Sequence, residues 1–69
     1  MQILIRKPGN NSFSTNEKTQ IRKILVGKGV RRENINSIPD DCIIVYGIIH
    51  PPTRNQISSI VEVSYVEEL

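Results

Sequence analysis

The sequence predicts a small α+β domain in which one helix packs on a three- to four-stranded mixed sheet, in the order β-α-(β)-β-β. Two patterns carry this prediction: a capped amphipathic stretch in the first half, and an unbroken apolar run at residues 42–49. A chain of 69 residues supports one domain with a thin core, which usually needs a disulfide, a metal or association for extra stability.

The first two elements are a strand and a helix. Residues 2–6 are apolar around Ile3 and Ile5, which predicts a strand, and turn-forming residues follow at 8–12. Ser14 and Glu17 have the spacing of a capping box, in which each side chain bonds the backbone N–H of the other. This spacing predicts a helix over residues 15–26, ended by glycines. Its apolar face contains Ile21, Ile24 and Leu25.

The second half of the chain is predicted to form mainly strands. Residues 30–41 are mostly polar and predict a loop, with a short edge strand at 35–38. Residues 42–49 predict the strongest strand, and 57–66 predict a further strand because β-branched residues alternate there. A short helix over 52–59 competes with the start of this last strand. The crossover rule predicts that the first strand is parallel to 42–49, and the last two strands should form an antiparallel hairpin.

The strand at 42–49 is apolar on both faces, which is typical of a strand that is buried on both sides. The chain supplies one convincing helix, and one helix covers only one face. We therefore expect the second face to be covered by a second copy, by another protein, or by the 30–41 loop. Its partner-binding candidates are Ile44, Tyr46 and Ile48.

Charge is unevenly distributed along the chain. The net charge is +2, but residues 1–37 hold eight cations against two carboxylates, and residues 38–69 hold one cation against five. Such asymmetry often marks a partner chosen by charge, although folding can also interleave the two halves. The basic binding candidates are Lys18, Arg22, Lys28, Arg31 and Arg32.

The basic loop at residues 27–32 follows a helix C-terminus, where the helix dipole repels anions. A helix cap followed by solvated charges is therefore the simpler interpretation of this loop. Phosphate binding by its glycines and cations stays the alternative.

Residues for catalysis or for a metal are sparse. Asp40 and Asp41 lie in a predicted turn, and His50 precedes two prolines with no nucleophile beside it. Cys42 is the single cysteine, and structural zinc spacings are missing. We expect no cofactor and no metal. Neither a signal peptide nor a membrane span is indicated, which together with a lone cysteine favours a cytoplasmic, soluble protein.

Two functions follow from these observations. The first is a non-enzymatic protein-interaction module, such as a regulator, inhibitor or accessory subunit, that docks through a sheet face or edge on another protein or on itself. The alternative is a small nucleic-acid-binding protein that uses the basic helix and the 27–32 loop. The scarcity of aromatic residues, one Phe and two Tyr, weighs against the alternative.

Overall fold

The computed structural model describes residues 1–68. Two helices pack on a four-stranded sheet, which confirms the α+β class and the strand number; the second helix was expected only as a competing interpretation. The elements are β1 (Gln2–Arg6), α1 (Thr15–Gly27), a 3-10 turn (Arg32–Asn34), β2 (Ile35–Asn36), β3 (Cys42–Tyr46), α2 (Pro51–Ser58) and β4 (Ser64–Glu68).

The sheet has the strand order β2-β3-β1-β4, and every neighbouring pair is antiparallel. The prediction of a mixed sheet in which β1 and β3 are parallel is therefore wrong. The crossover through α1 leads to the short edge strand β2, which does run parallel to β1, and β3 lies between them. The crossover through α2 relates β3 to β4 in the same way. This β-α-β-β-α-β connectivity is that of the ferredoxin-like split arrangement.

The predicted terminal hairpin is also wrong, because β4 pairs with β1 and not with β3. Residues 51–58 form α2 where the last strand was expected to begin, and β4 starts only at Ser64. Pro51 and Pro52 occupy the first helical positions, where the missing N–H groups cost nothing. The competing helix at 52–59 was thus the correct interpretation of this segment.

The strand β3 ends at Tyr46, three residues before the predicted end. Gly47 has φ = 130°, which lies outside the range that residues with a side chain readily adopt. The chain turns there, and Ile49 then enters the core from outside the sheet.

One layer of apolar side chains lies between the sheet and the two helices. Ile3 and Ile5 of β1, with Ile43 and Val45 of β3, contribute the sheet side of this core. The helix side and the loops contribute Phe13, Ile21, Leu25, Ile49 and Ile57. Both helices therefore cover the same face of the sheet.

The predicted capping box is present at the start of α1. Glu17 N donates to Ser14 Oγ at 3.1 Å, and Ser14 N donates to Glu17 Oε1 at 2.8 Å. Lys7 Nζ also lies 3.1 Å from Glu17 Oε1, which ties the end of β1 to the first turn of the helix.

The helix α2 and the strand β4 are joined through one arginine. The Arg54 guanidinium lies 5.0 Å from the centre of the Tyr65 ring and contacts Glu67 Oε1 at 2.6 Å. Tyr65 Oη in turn donates to the Arg54 carbonyl at 3.1 Å. Burial raises the pKa of this tyrosine above its ordinary value.

Candidate functional site

The face of the sheet that points away from the helices is open. Residues that pair directly in an antiparallel sheet share a face, and the register therefore lines up Asn36, Ile44, Leu4 and Val66 in one row across all four strands. A second row contains Tyr46, Gln2 and Glu68, and a third contains Cys42, Arg6 and Ser64. We call these three rows the open face.

Most apolar side chains of the open face are accessible to solvent, whereas Cys42, at the Arg6 end, is only 7% exposed. Tyr46 is 45% exposed and Val66 is 43% exposed, while Leu4 and Ile44 are half-buried between their neighbours. By contrast, Ile43 and Val45 on the helix side of the same strand are 1% exposed. The sequence predicts that β3 is apolar on both faces. The helices cover one of these faces and leave the other uncovered.

The loop at residues 30–41 leaves most of the open face uncovered and reaches it only at the Arg6 end, where Asp41 lies 3.9 Å from Arg6. Lys18 Nζ of α1 donates to the Ser37 carbonyl at 3.0 Å, and an Arg22 Nη donates to Ser37 Oγ at 2.6 Å. Val30, near the start of the loop, packs against the core. These contacts hold the loop against the helix layer, on the opposite side of the sheet.

Two of the three predicted apolar contact residues, Ile44 and Tyr46, lie on the open face. Ile48 is 65% exposed, but it follows the turn at Gly47 and strand alternation no longer determines its face. The sequence interpretation missed Leu4 and Val66. The register of β1 between β3 and β4 brings them to Ile44, and this pairing could not be read from the local pattern.

The two ends of the open face carry different charged side chains. Arg6 lies at one end, and its nearest carboxylate among residues 1–68 is that of Asp41 at 3.9 Å, with both side chains at least half exposed. Glu68 lies at the other end and accepts a 2.7 Å hydrogen bond from Gln2 Nε2. An apolar row therefore separates an end that carries Arg6 beside Asp41 from an end that carries Glu68 beside Gln2.

The predicted basic residues are only partly gathered. Lys18 is 15% exposed and pairs with Asp40 at 3.4 Å, and Arg31 lies 3.6 Å from Glu33. Lys28 is exposed and caps the end of α1 through its backbone, as the simpler interpretation of the 27–32 loop requires.

A groove of about 260 Å³ collects three cations on the helix layer. It is lined by Arg22, Lys23, Val26, Gly27 and Arg32. Lys23 was not among the predicted binding residues. The groove lies beside the C-terminal end of α1, away from the open face.

The residues considered for chemistry are dispersed. Cys42 is buried, and burial together with the neighbouring Asp41 carboxylate raises the pKa of its thiol, which keeps it protonated and weakly nucleophilic. His50 is exposed at the start of α2. Within residues 1–68, the acidic, cysteine and histidine side chains form no group of three or more that could hold a metal ion.

In the described part of the chain, no helix has the length and apolar character needed to cross a membrane.

Comparison of this chain with protein-family models, with curated proteins and with solved structures found no match.

Proposed function

We propose that this chain is a non-enzymatic protein-interaction module that binds another polypeptide chain through the open face. The observation that supports the proposal most directly is the position of both helices on one side of the sheet. This arrangement leaves Leu4, Ile44, Tyr46 and Val66 as an apolar surface on the other side. Apolar patches rimmed by polar residues are typical of protein–protein contacts.

The apolar residues at exposed positions of the sheet also support the proposal. Strands with one face in water usually alternate apolar and polar residues, so a lysine or threonine at the positions of Tyr46 and Val66 would suit a face that stays in water. The free thiol of buried Cys42 fits the reducing cytoplasm as the compartment of the proposed module.

The neighbouring isoleucines of β3 test whether the surface is free. Ile43→Ala should lower the free energy of unfolding by about 2–5 kcal/mol, the usual cost of truncating a buried isoleucine. Ile44→Ala, measured at low micromolar concentration where complexes dissociate, should cost less than about half of that, because Ile44 is buried only by its neighbours in the sheet. Equal costs for the two variants would mean that Ile44 belongs to a covered core, and the proposed surface would not exist.

Nucleic-acid binding is the second candidate, and the groove between Arg22, Lys23 and Arg32 favours it. A gel shift with duplex and single-stranded probes at rising salt is the test, since affinity for phosphates falls steeply with salt. The open face itself is a poor RNA platform. Sheet-face RNA binders stack two or three bases on aromatic side chains, whereas the open face presents Tyr46 as its one aromatic residue.

A further inference from the structure

We propose that the chain bound at the open face is a second copy of this protein, packed face to face with its strands running in the opposite direction. This inference rests on the proposed function, because it names the occupant of the same surface. It follows from the arrangement of charge around the apolar row and from the geometry that a two-fold axis imposes.

A two-fold axis can place two copies of this sheet face to face in two ways. Most dimers use such an axis, which requires one surface to be complementary to itself, and packed sheets keep their strands within about 30° of alignment. An axis along the strands places the end that carries Arg6 over the same end of the partner. An axis across the strands, along the row of Leu4, places the end that carries Arg6 over the end that carries Glu68.

Charge selects the second arrangement. With the axis across the strands, Arg6 lies over Gln2 of the second copy, whose neighbour on the next strand is Glu68. An arginine side chain spans the roughly 4.8 Å between neighbouring strands. Each dimer then contains two contacts between Arg6 and Glu68. The other axis would bring two Arg6–Asp41 pairs together and would form no contact between Arg6 and Glu68.

The apolar row completes the complementarity. In the selected arrangement the row of Ile44, Leu4 and Val66 faces its own copy at the centre, and the charged rows lie at the rim. Interfaces commonly have this apolar centre and polar rim. The structure thus offers a surface whose charge and apolar patterns both match a second copy in one orientation.

The area of the open face determines the expected affinity of the dimer. Three strands of five residues and one of two, with strands about 4.8 Å apart and about 3.4 Å per residue, give roughly 300 Å² in projection. This is smaller than the roughly 800 Å² per partner of a standard interface. We therefore expect a reversible dimer with a dissociation constant in the micromolar range, which dissociates on dilution.

Two charge reversals test the orientation. Arg6→Glu alone and Glu68→Arg alone should each weaken the dimer roughly tenfold, because both contacts in each dimer turn from attraction to repulsion. An equimolar mixture of the two variants should regain wild-type affinity as a heterodimer, since every reversed charge then meets its opposite. Sedimentation velocity gives the affinities, and native mass spectrometry identifies the heterodimer.

Matched controls carry the same charge changes elsewhere. Lys23→Glu on the helix layer and Glu33→Arg in the 3-10 turn should leave the dissociation constant at the wild-type value, and circular dichroism verifies that each variant is folded. A wild type that stays monomeric at high micromolar concentration overturns the inference. So does a dimer that neither reversal at positions 6 and 68 weakens, or a mixture that fails to recover affinity.

The two claims fail in different ways. Equal losses in the free energy of unfolding for Ile43→Ala and Ile44→Ala would show that the open face is not a free surface, and the proposed function would fail. Unequal costs together with a monomeric wild type would keep the surface and reject the second copy as its occupant.

Discussion

At the scale of single residues, Ser14 and Glu17 do the most to define the start of α1. Their two reciprocal hydrogen bonds satisfy backbone N–H groups that have no partner inside the helix. Lys7 adds an ion pair to the same carboxylate and thereby links the helix start to β1. This small cluster fixes the helix and its approach to the sheet together.

We expect Ser14→Ala to lower the free energy of unfolding by about 1 kcal/mol, the usual contribution of an N-cap side chain. Ser12→Ala, a matched change at an exposed position just before the cap, should have little effect. Thermal or urea melts measure both. A Ser14→Ala melt that coincides with wild type would show that the cap contributes no stability, despite its geometry.

Glu17 should also make stability depend on acid. The backbone N–H of Ser14 and then the Lys7 ammonium stabilise the charged carboxylate, which lowers its pKa below the ordinary value of 4.5. A group whose pKa is lowered in the folded state stabilises the fold above its unfolded pKa, and this stability is lost as pH falls through the folded pKa. In urea melts, wild type should be more stable than Glu17→Gln at about pH 6, and this difference in the free energy of unfolding should shrink as pH falls below 4. A difference that stays constant over this range would show that the Glu17 carboxylate does not stabilise the fold through its charge.

At the scale of elements, local signals predicted what local physics controls. The capping box, the apolar face of α1 and the strands at β1 and β3 follow from spacing within a few residues, and the structure confirms them. The pairing partners do not follow from such spacing, because strand direction depends on where each crossover ends. Since α1 leads to β2, a two-residue strand with a weak pattern, the parallel partner of β1 was misassigned to β3.

The α2 segment shows the limit of reading a β-branched pattern. Ile57, Val61 and Val63 suggest a strand by alternation, but Ile57 lies in a helix whose first positions suit the two prolines. The contacts of Arg54 with Tyr65 and Glu67 hold that helix against β4. These are long-range contacts, and a local pattern contains no information about them.

Two isoleucines three residues apart test how the C-terminal end of α2 and the turn after it are buried. Ile57 is fully buried against the core, whereas Ile60 is 47% exposed. Ile57→Ala should lower the free energy of unfolding by about 2–5 kcal/mol, and Ile60→Ala by less than about 1 kcal/mol. Chemical denaturation of the two variants measures the difference. Comparable losses, or a larger loss for Ile60→Ala, would be inconsistent with the position of α2.

At the scale of the whole molecule, folding only partly mixes the two oppositely charged halves. Arg6 meets Asp41 and Lys18 meets Asp40 across the halves, but Lys23, Lys28 and Arg32 remain on the helix layer with no carboxylate within 4.0 Å among residues 1–68. The molecule therefore has a basic helix layer and, on the other side of the sheet, an apolar face with charged ends. The two candidate functions use different sides.

Reversal of Lys28, Arg31 and Arg32 to Glu separates these functions. All three side chains are exposed, so the fold should be retained, as circular dichroism can verify. Self-association through the open face should be unchanged at moderate salt, because these charges lie outside that face. If the chain binds nucleic acid, its affinity in a gel shift should collapse, since each lost phosphate contact weakens binding. A changed dimer affinity in the triple variant would place the basic layer in the protein interface and contradict the separation.

The central claim is that the open face binds a second chain, and the concentration dependence of the wild-type molecular mass tests it most directly. Light scattering coupled to size exclusion should give a mass near the 7.8 kDa of one chain at low micromolar concentration. The mass should rise toward twice that value at high micromolar concentration, and Ile44→Asp, if it folds, should stay monomeric throughout. A wild-type mass that remains at one chain across the whole range, from a protein shown to be stably folded, would contradict the account.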